Sequence, residues 1–155
     1  MTDRFRVVPA AYVVFRREHE GRAQVLLQLR CGTGYMDGFW AMAAAGHVEA
    51  DESVLEAACR ESAEELGVTV HEDDLVPLCA MHRTGGNGDL IDERADFFFE
   101  VCTWRGEPRL VEEDKAADLR WWPLDALPAS VVPHERFVLD RLRDGGLEAV
   151  VTYGF

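Results

Sequence analysis

The chain has 155 residues, 48% of them hydrophobic, enough for one domain whose core needs no disulfide or metal staple and too many for overall disorder. Its 29 acidic residues against 16 basic ones leave a formal charge of −13, a field that repels nucleic-acid backbones and disfavours a duplex-binding role. No apolar run approaches a membrane span and the start, Met1-Thr2-Asp3-Arg4-Phe5-Arg6, lacks a signal-peptide core, so a single soluble cytoplasmic domain over residues 1–155 is expected.

Val7 to Phe15 is apolar and β-branched, and Gln24 to Leu29 follows a polar Glu-His-Glu-Gly turn, which predicts a β-hairpin. A glycine-containing loop, Cys31 to Gly38, leads to a short strand at Phe39-Trp40-Ala41-Met42. The period then changes. From Glu52 to Leu66, the positions Leu55, Ala58, Cys59, Ser62 and Leu66 recur at helical spacing and describe one buried stripe. Asp51 is placed to cap the start of this helix, and Gly67 to end it in the left-handed conformation. Strands are expected at Leu75 to Met81, Asp96 to Val101 and Leu119 to Trp122, then a turn at Pro123 and a last helix from about His134 to Arg143. That order suits an α/β (α+β) domain with helices on a partly closed mixed sheet. Cys31, Cys59, Cys79 and Cys102 are too scattered for metal-ligand spacing and read as buried reduced thiols.

The chemistry concentrates in the stretch from Gly46 to Val68. Glu61 and Glu65 are an i,i+4 pair on the helix, and Glu64 lies beside them, all away from the apolar stripe. Like charges at this spacing repel, and a hard divalent cation removes the repulsion. On spacing alone, an ordinary solvated acidic face is the commoner reading.

The whole segment resembles the Nudix box, Gly-x5-Glu-x7-Arg-Glu-U-x-Glu-Glu-x-Gly-U, where U is a bulky apolar residue. Gly46, Glu52, Arg60, Glu61, Glu64, Glu65 and Gly67 all stand at the required spacing. Ser62 departs from the pattern at the first U position; on the buried stripe it is expected to bond back to a helix carbonyl. Tyr35-Met36-Asp37-Gly38-Phe39-Trp40 before the box, and Asp96-Phe97-Phe98-Phe99, Leu119 to Leu124 and the last helix after it, look like elements of MutT-like members. The resemblance implies a mixed β-sheet sandwiched between helices, with the box as a loop–helix–loop. It also implies that Glu61, Glu64, Glu65 and the carbonyl of Ala45 hold Mg²⁺, with Mn²⁺ as the alternative. Arg60 would orient the box glutamates, its plainer role being an i,i+4 pair with Glu64. Glu52 would support the metal-binding loop, while Gly46 and Gly67 supply special backbone positions. Where family members have Leu-Pro-Gly-Gly or Leu-Pro-Ala-Gly, this chain has Met42-Ala43-Ala44-Ala45-Gly46, so a less rigid loop is expected.

The implied reaction is attack of water on a phosphorus of a nucleoside diphosphate linked to a second group. The proton acceptor is a box glutamate or a glutamate on a later loop, and in Val111-Glu112-Glu113-Asp114-Lys115 the preferred residue is Glu112. Trp121, Trp122, Phe97 and Phe99 offer stacking faces, although strand aromatics are more often core; Trp121 is the substrate candidate among them. Arg83 and Arg94 flank the polar loop Thr84 to Glu93 and are expected to reach phosphate or ribose. His134 and Glu135 begin the last helix, where some MutT-like relatives bind the base. A (d)NTP or modified-NTP pyrophosphohydrolase, acting as monomer or homodimer, is the first expectation. A hydrolase of ADP-ribose, nucleotide sugars or dinucleotides is the second, and a non-catalytic nucleotide-binding module the third.

Overall fold

A computed structural model describes residues 3–155. Strands β1 (Val8–His19) and β2 (Arg22–Arg30) form the expected hairpin, each running further than its apolar core. The turn is the two-residue pair Glu20-Gly21, both in the left-handed region at φ 51° and 76°, which matches the twist of the flanking strands. The other strands are β3 (Trp40–Met42), β4 (Ala44–His47), β5 (Val76–Arg83), β6 (Arg94–Val101), β7 (Ala116–Pro123) and β8 (Val150–Tyr153). Two helices accompany them, α1 (Val54–Leu66) and α2 (Pro133–Asp144).

The helix start differs from the expectation. Ser53, not Asp51, caps α1, because Ser53 and Glu56 satisfy each other's backbone N–H groups in a capping box. Asp51 instead sits in the left-handed region of the preceding turn, at φ 63°. Gly67 ends the helix as expected, its N–H bonding to the carbonyl of Ala63.

β1 is the spine of the sheet. It runs parallel to β6 from Val8 to Phe15 and antiparallel to β2 and β4 on the other edge. Ala10, Tyr12 and Val14 face a core closed by Val138 and Leu139 of α2. Ala11, Val13 and Phe15 face a second core closed by Ala57, Ala58 and Leu66 of α1. Burial on both faces is why the strand reads as one continuous apolar run instead of alternating. The helices therefore lie on opposite faces of one mixed sheet.

Three local readings change. The alanine run is not a loose loop: Ala44 and Ala45 belong to β4 and pair with Val13 and Tyr12. Small side chains there, Ala43 and Ala44 being fully buried, let the strand lie close under α1. On α1, Ala57 joins the buried stripe, while Leu55 and Cys59 are only partly covered. Among the cysteines only Cys79 is buried; Cys102 is exposed, and all four thiols are free. No helix among the described residues is long and apolar enough to cross a membrane.

Candidate active site

β1 and β2 pair only near their hairpin, Arg16 to His19 against Arg22 to Val25, and then part. β4 takes up the open edge of β1, and β3 that of β2. A cleft forms where these strands separate, and Gln28, Arg30, Ala45, Gly46, His47 and Glu65 line both of its halves.

One half is acidic. Arg60 is its hub, holding Glu52 through Nε at 2.7 Å and Nη2 at 2.9 Å, and Glu61 through Nη1 at 2.8 Å. The same guanidinium donates to Glu64 at 3.1 Å and to the His47 carbonyl at 3.0 Å. Arg60 thus contacts Glu61 as well as its i,i+4 neighbour Glu64. Glu52 also accepts the Glu49 N–H, so it braces the loop before α1 instead of starting the helix. The Arg60 fork holds the Glu52 carboxyl down to about 2.

Glu61, Glu64 and Glu65 do not share one solvated face. Glu64 is half exposed, whereas Glu61 and Glu65 turn inward against β4. Glu65 accepts the Ala45 N–H at 2.7 Å. Burial, with the charges of Glu61 and Glu112 added, pushes its carboxyl up to about 8. Burial raises Glu61 as well, against the opposing pull of Arg60. Its carboxylate occupies the place where a Cβ at residue 46 would stand, so Gly46 is there for close approach. Glu112 lines the same hollow and reaches Lys115 at 3.3 Å. Among the described residues no three acidic, His or Cys side chains converge as a ready ion cage, since Arg60 and the Ala45 N–H hold the carboxylates. Ser62 lies fully buried with its hydroxyl donating to the Ala58 carbonyl at 2.8 Å, as its place on the stripe predicts.

The other half is a cavity of about 380 Å³. Four residues expected to meet substrate, Arg83, Arg94, His134 and Glu135, line it together. Arg83 donates to Asp96 at 2.7 Å, and Arg94 lies 3.5 Å from the other oxygen of that fully buried carboxylate. Glu135 is also buried, accepts the Met42 N–H at 2.8 Å, and is pushed up to about 7 by that burial. His134 shares a hydrogen bond of 3.2 Å with the Tyr12 hydroxyl. Burial and the fields of Arg83, Arg94 and Arg30 pull it down to about 3, so its ring is neutral at physiological pH.

Trp121 is the exception and lines neither half. Its register opposite Leu26 turns it to the α1 side of the sheet, where it stacks on Trp104 and carries Arg17 4.3 Å above its ring. Trp122 meets Trp40 edge to face, and Phe99 is buried, so these strand aromatics serve packing. Sequence reasoning missed Tyr12, Gln28, Arg30, Tyr35, His47 and Asp96. Gln28 and Arg30 had a signal, being the polar phase of an otherwise apolar β2. Asp96 had none, because only the pairing of β5 with β6 brings it under Arg83.

The NUDIX domain family model matches residues 6–142. The uncharacterized Nudix hydrolase YfcD of Escherichia coli is 42% identical over 72% of this chain. The match spans only 57% of that relative's own length. Among solved structures, the MutT NUDIX hydrolase of Burkholderia pseudomallei is 30% identical, with 86% of this chain and 98% of that one covered at a TM-score of 0.70. The NUDIX domain of Shewanella oneidensis NrtR, solved with ADP ribose, shares the fold at a TM-score of 0.70 and 16% identity, covering 90% of this chain and 88% of that one.

Proposed function

The chain belongs to the Nudix family, and from that premise we propose that it is a divalent-metal-dependent hydrolase of a diphosphate bond in a nucleoside diphosphate derivative. A (d)NTP or modified NTP is the first substrate class. The observation that carries the reading is Glu61, Glu65 and Glu112 facing one hollow that opens into a cavity rich in arginine.

The donor set fits a hard cation. Burial and neighbouring carboxylates (Glu64 and Glu112 for Glu61, Glu61 and Glu112 for Glu65) disfavour uncompensated negative charge on both groups, and oxygen ligands are what Mg²⁺ prefers. Glu61, Glu64, Glu65 and the Ala45 carbonyl would hold it, with Mn²⁺ as a substitute. When bound, such an ion neutralises the diphosphate and acidifies a water molecule. Arg60 sets the direction of Glu61 and ties it to the loop braced by Glu52. Glu112 is the proposed proton acceptor, since it borders the hollow yet belongs to no box position. Arg30 touches both halves of the cleft and is placed to bind the diphosphate between them. The free thiols accord with a reducing compartment, the cytoplasm.

A second reading, a nucleoside diphosphate linked to a larger group such as ribose or a sugar, is favoured by the size of the cavity. The fold likeness to a domain solved with ADP ribose is in keeping with it.

Thermal melts with millimolar Mg²⁺ and release of phosphate or pyrophosphate from a nucleotide panel test the proposal. A raised melting point and metal-dependent release are expected. Neither effect appearing would sink it.

A further inference from the structure

Diphosphate chemistry leaves the inner end of the cavity without a purpose. Arg83 and Arg94 stand there as register partners on β5 and β6, each with only 12% of its side chain exposed. A single fully buried carboxylate, Asp96, serves both. Arg83 reaches it through Nε, and neither Nη of Arg83 bonds an acceptor among the described residues. Arg94 lies near its other oxygen without hydrogen-bond geometry.

Two guanidiniums on one carboxylate leave a positive charge in surplus, in a chain whose formal charge is −13. Neither of the other acids at this end forms an ion pair with the two arginines: Glu135 accepts the Met42 N–H, and Asp92 at the rim accepts from Asn87. After burial, the Arg83 and Arg94 charges help hold the nearby His134 neutral. A largely buried fork with unused donors favours a carboxylate or phosphate that completes it.

We propose that Arg83 and Arg94 seat a second anionic group of the substrate, a carboxylate or phosphate monoester remote from the scissile diphosphate. The inference rests on the hydrolase reading of the adjoining hollow and narrows its substrate class. A nucleoside diphosphate whose other substituent is charged satisfies the arginines; an unmodified base does not.

The test is a titration of the full chain in EDTA, following the ¹⁵N-labelled arginine Nε–H resonances, with inorganic phosphate and separately with acetate. The Arg83 and Arg94 signals are expected to shift together and saturate at millimolar anion. Phosphate binding more tightly than acetate assigns the monoester, and the reverse assigns the carboxylate. Arg83→Lys keeps a cation beside Asp96 but loses the free Nη donors, and is expected to weaken binding by about fivefold or more. No saturation with either anion overturns the inference. So does unchanged affinity in Arg83→Lys, or in Arg94→Gln where the lysine variant fails to fold. Because the titration reads no turnover, its failure leaves the hydrolase reading standing.

Discussion

Arg60 grips Glu52 with two arms of its guanidinium, at 2.7 and 2.9 Å, across eight residues of chain, and its third nitrogen holds Glu61. One side chain thereby joins the loop before α1 to the carboxylate facing the hollow. Lysine keeps the charge but cannot span both partners. Arg60→Lys is expected to lower kcat/KM and raise the Mg²⁺ concentration for half-maximal rate, each by about tenfold to a hundredfold, the usual cost of losing a residue that orients metal ligands. Kinetics across a Mg²⁺ titration provide the check, and an unchanged midpoint would detach Arg60 from the metal-binding carboxylates.

Gly46 permits the close approach of Glu61, so its smallest replacement is informative. A methyl group there collides with the Glu61 carboxylate and turns it away from the hollow. Gly46→Ala is expected to keep the far-ultraviolet circular dichroism of the wild type while losing most of the Mg²⁺-induced rise in melting temperature. An undiminished rise would show that Glu61 contributes nothing to metal binding.

Glu135 makes stability depend on pH with a worked sign. Its carboxyl lies at about 7 in the fold against an ordinary value of 4.5, so the folded state binds the extra proton between those values. The stability it contributes is fully present below about 4.5 and lost as pH rises through about 7. His134, lowered to about 3 from 6.5, works in the opposite direction, because stability is lost as pH falls below 6.5. Glu135→Gln keeps an acceptor for the Met42 N–H and removes the ionisation. In EDTA, its melting temperature relative to wild type is expected to rise by about 2 °C or more from pH 5 to pH 8. Calorimetry at those two values decides it; a flat difference means Glu135 is ionised in the fold throughout.

Proton transfer and metal holding separate by variant. Glu112→Gln is expected to reduce turnover by about a hundredfold to ten-thousandfold with little change in Mg²⁺ dependence, the share general-base catalysis usually supplies. Glu65→Gln is expected to shift the Mg²⁺ midpoint upward, since it removes a charged ligand. Near-normal turnover in Glu112→Gln would move the base to a box glutamate or to Glu113 or Asp114.

The sequence alone determined what depends on neighbours a few residues apart. The helical period from Leu55 to Leu66, the stop at Gly67, and the placing of Glu61, Glu64 and Glu65 on one helix are all local, because a helix turns every 3.6 residues whatever surrounds it. The hidden hydroxyl of Ser62 follows from the same period. Tertiary structure decided what depends on strand register and on which groups lose water. The pairing of β1 with β4 turned a supposed loose loop into a strand and set the Ala45 N–H against Glu65. The pairing of β2 with β7 sent Trp121 to the far side of the sheet. β5 against β6 brought Arg83 and Arg94 onto one buried aspartate. Such contacts join residues distant in sequence, and a register shift of a single residue would turn every side chain in a strand to the opposite face. Neither spacing nor composition carries that information; it resides in the packing of both cores against the sheet.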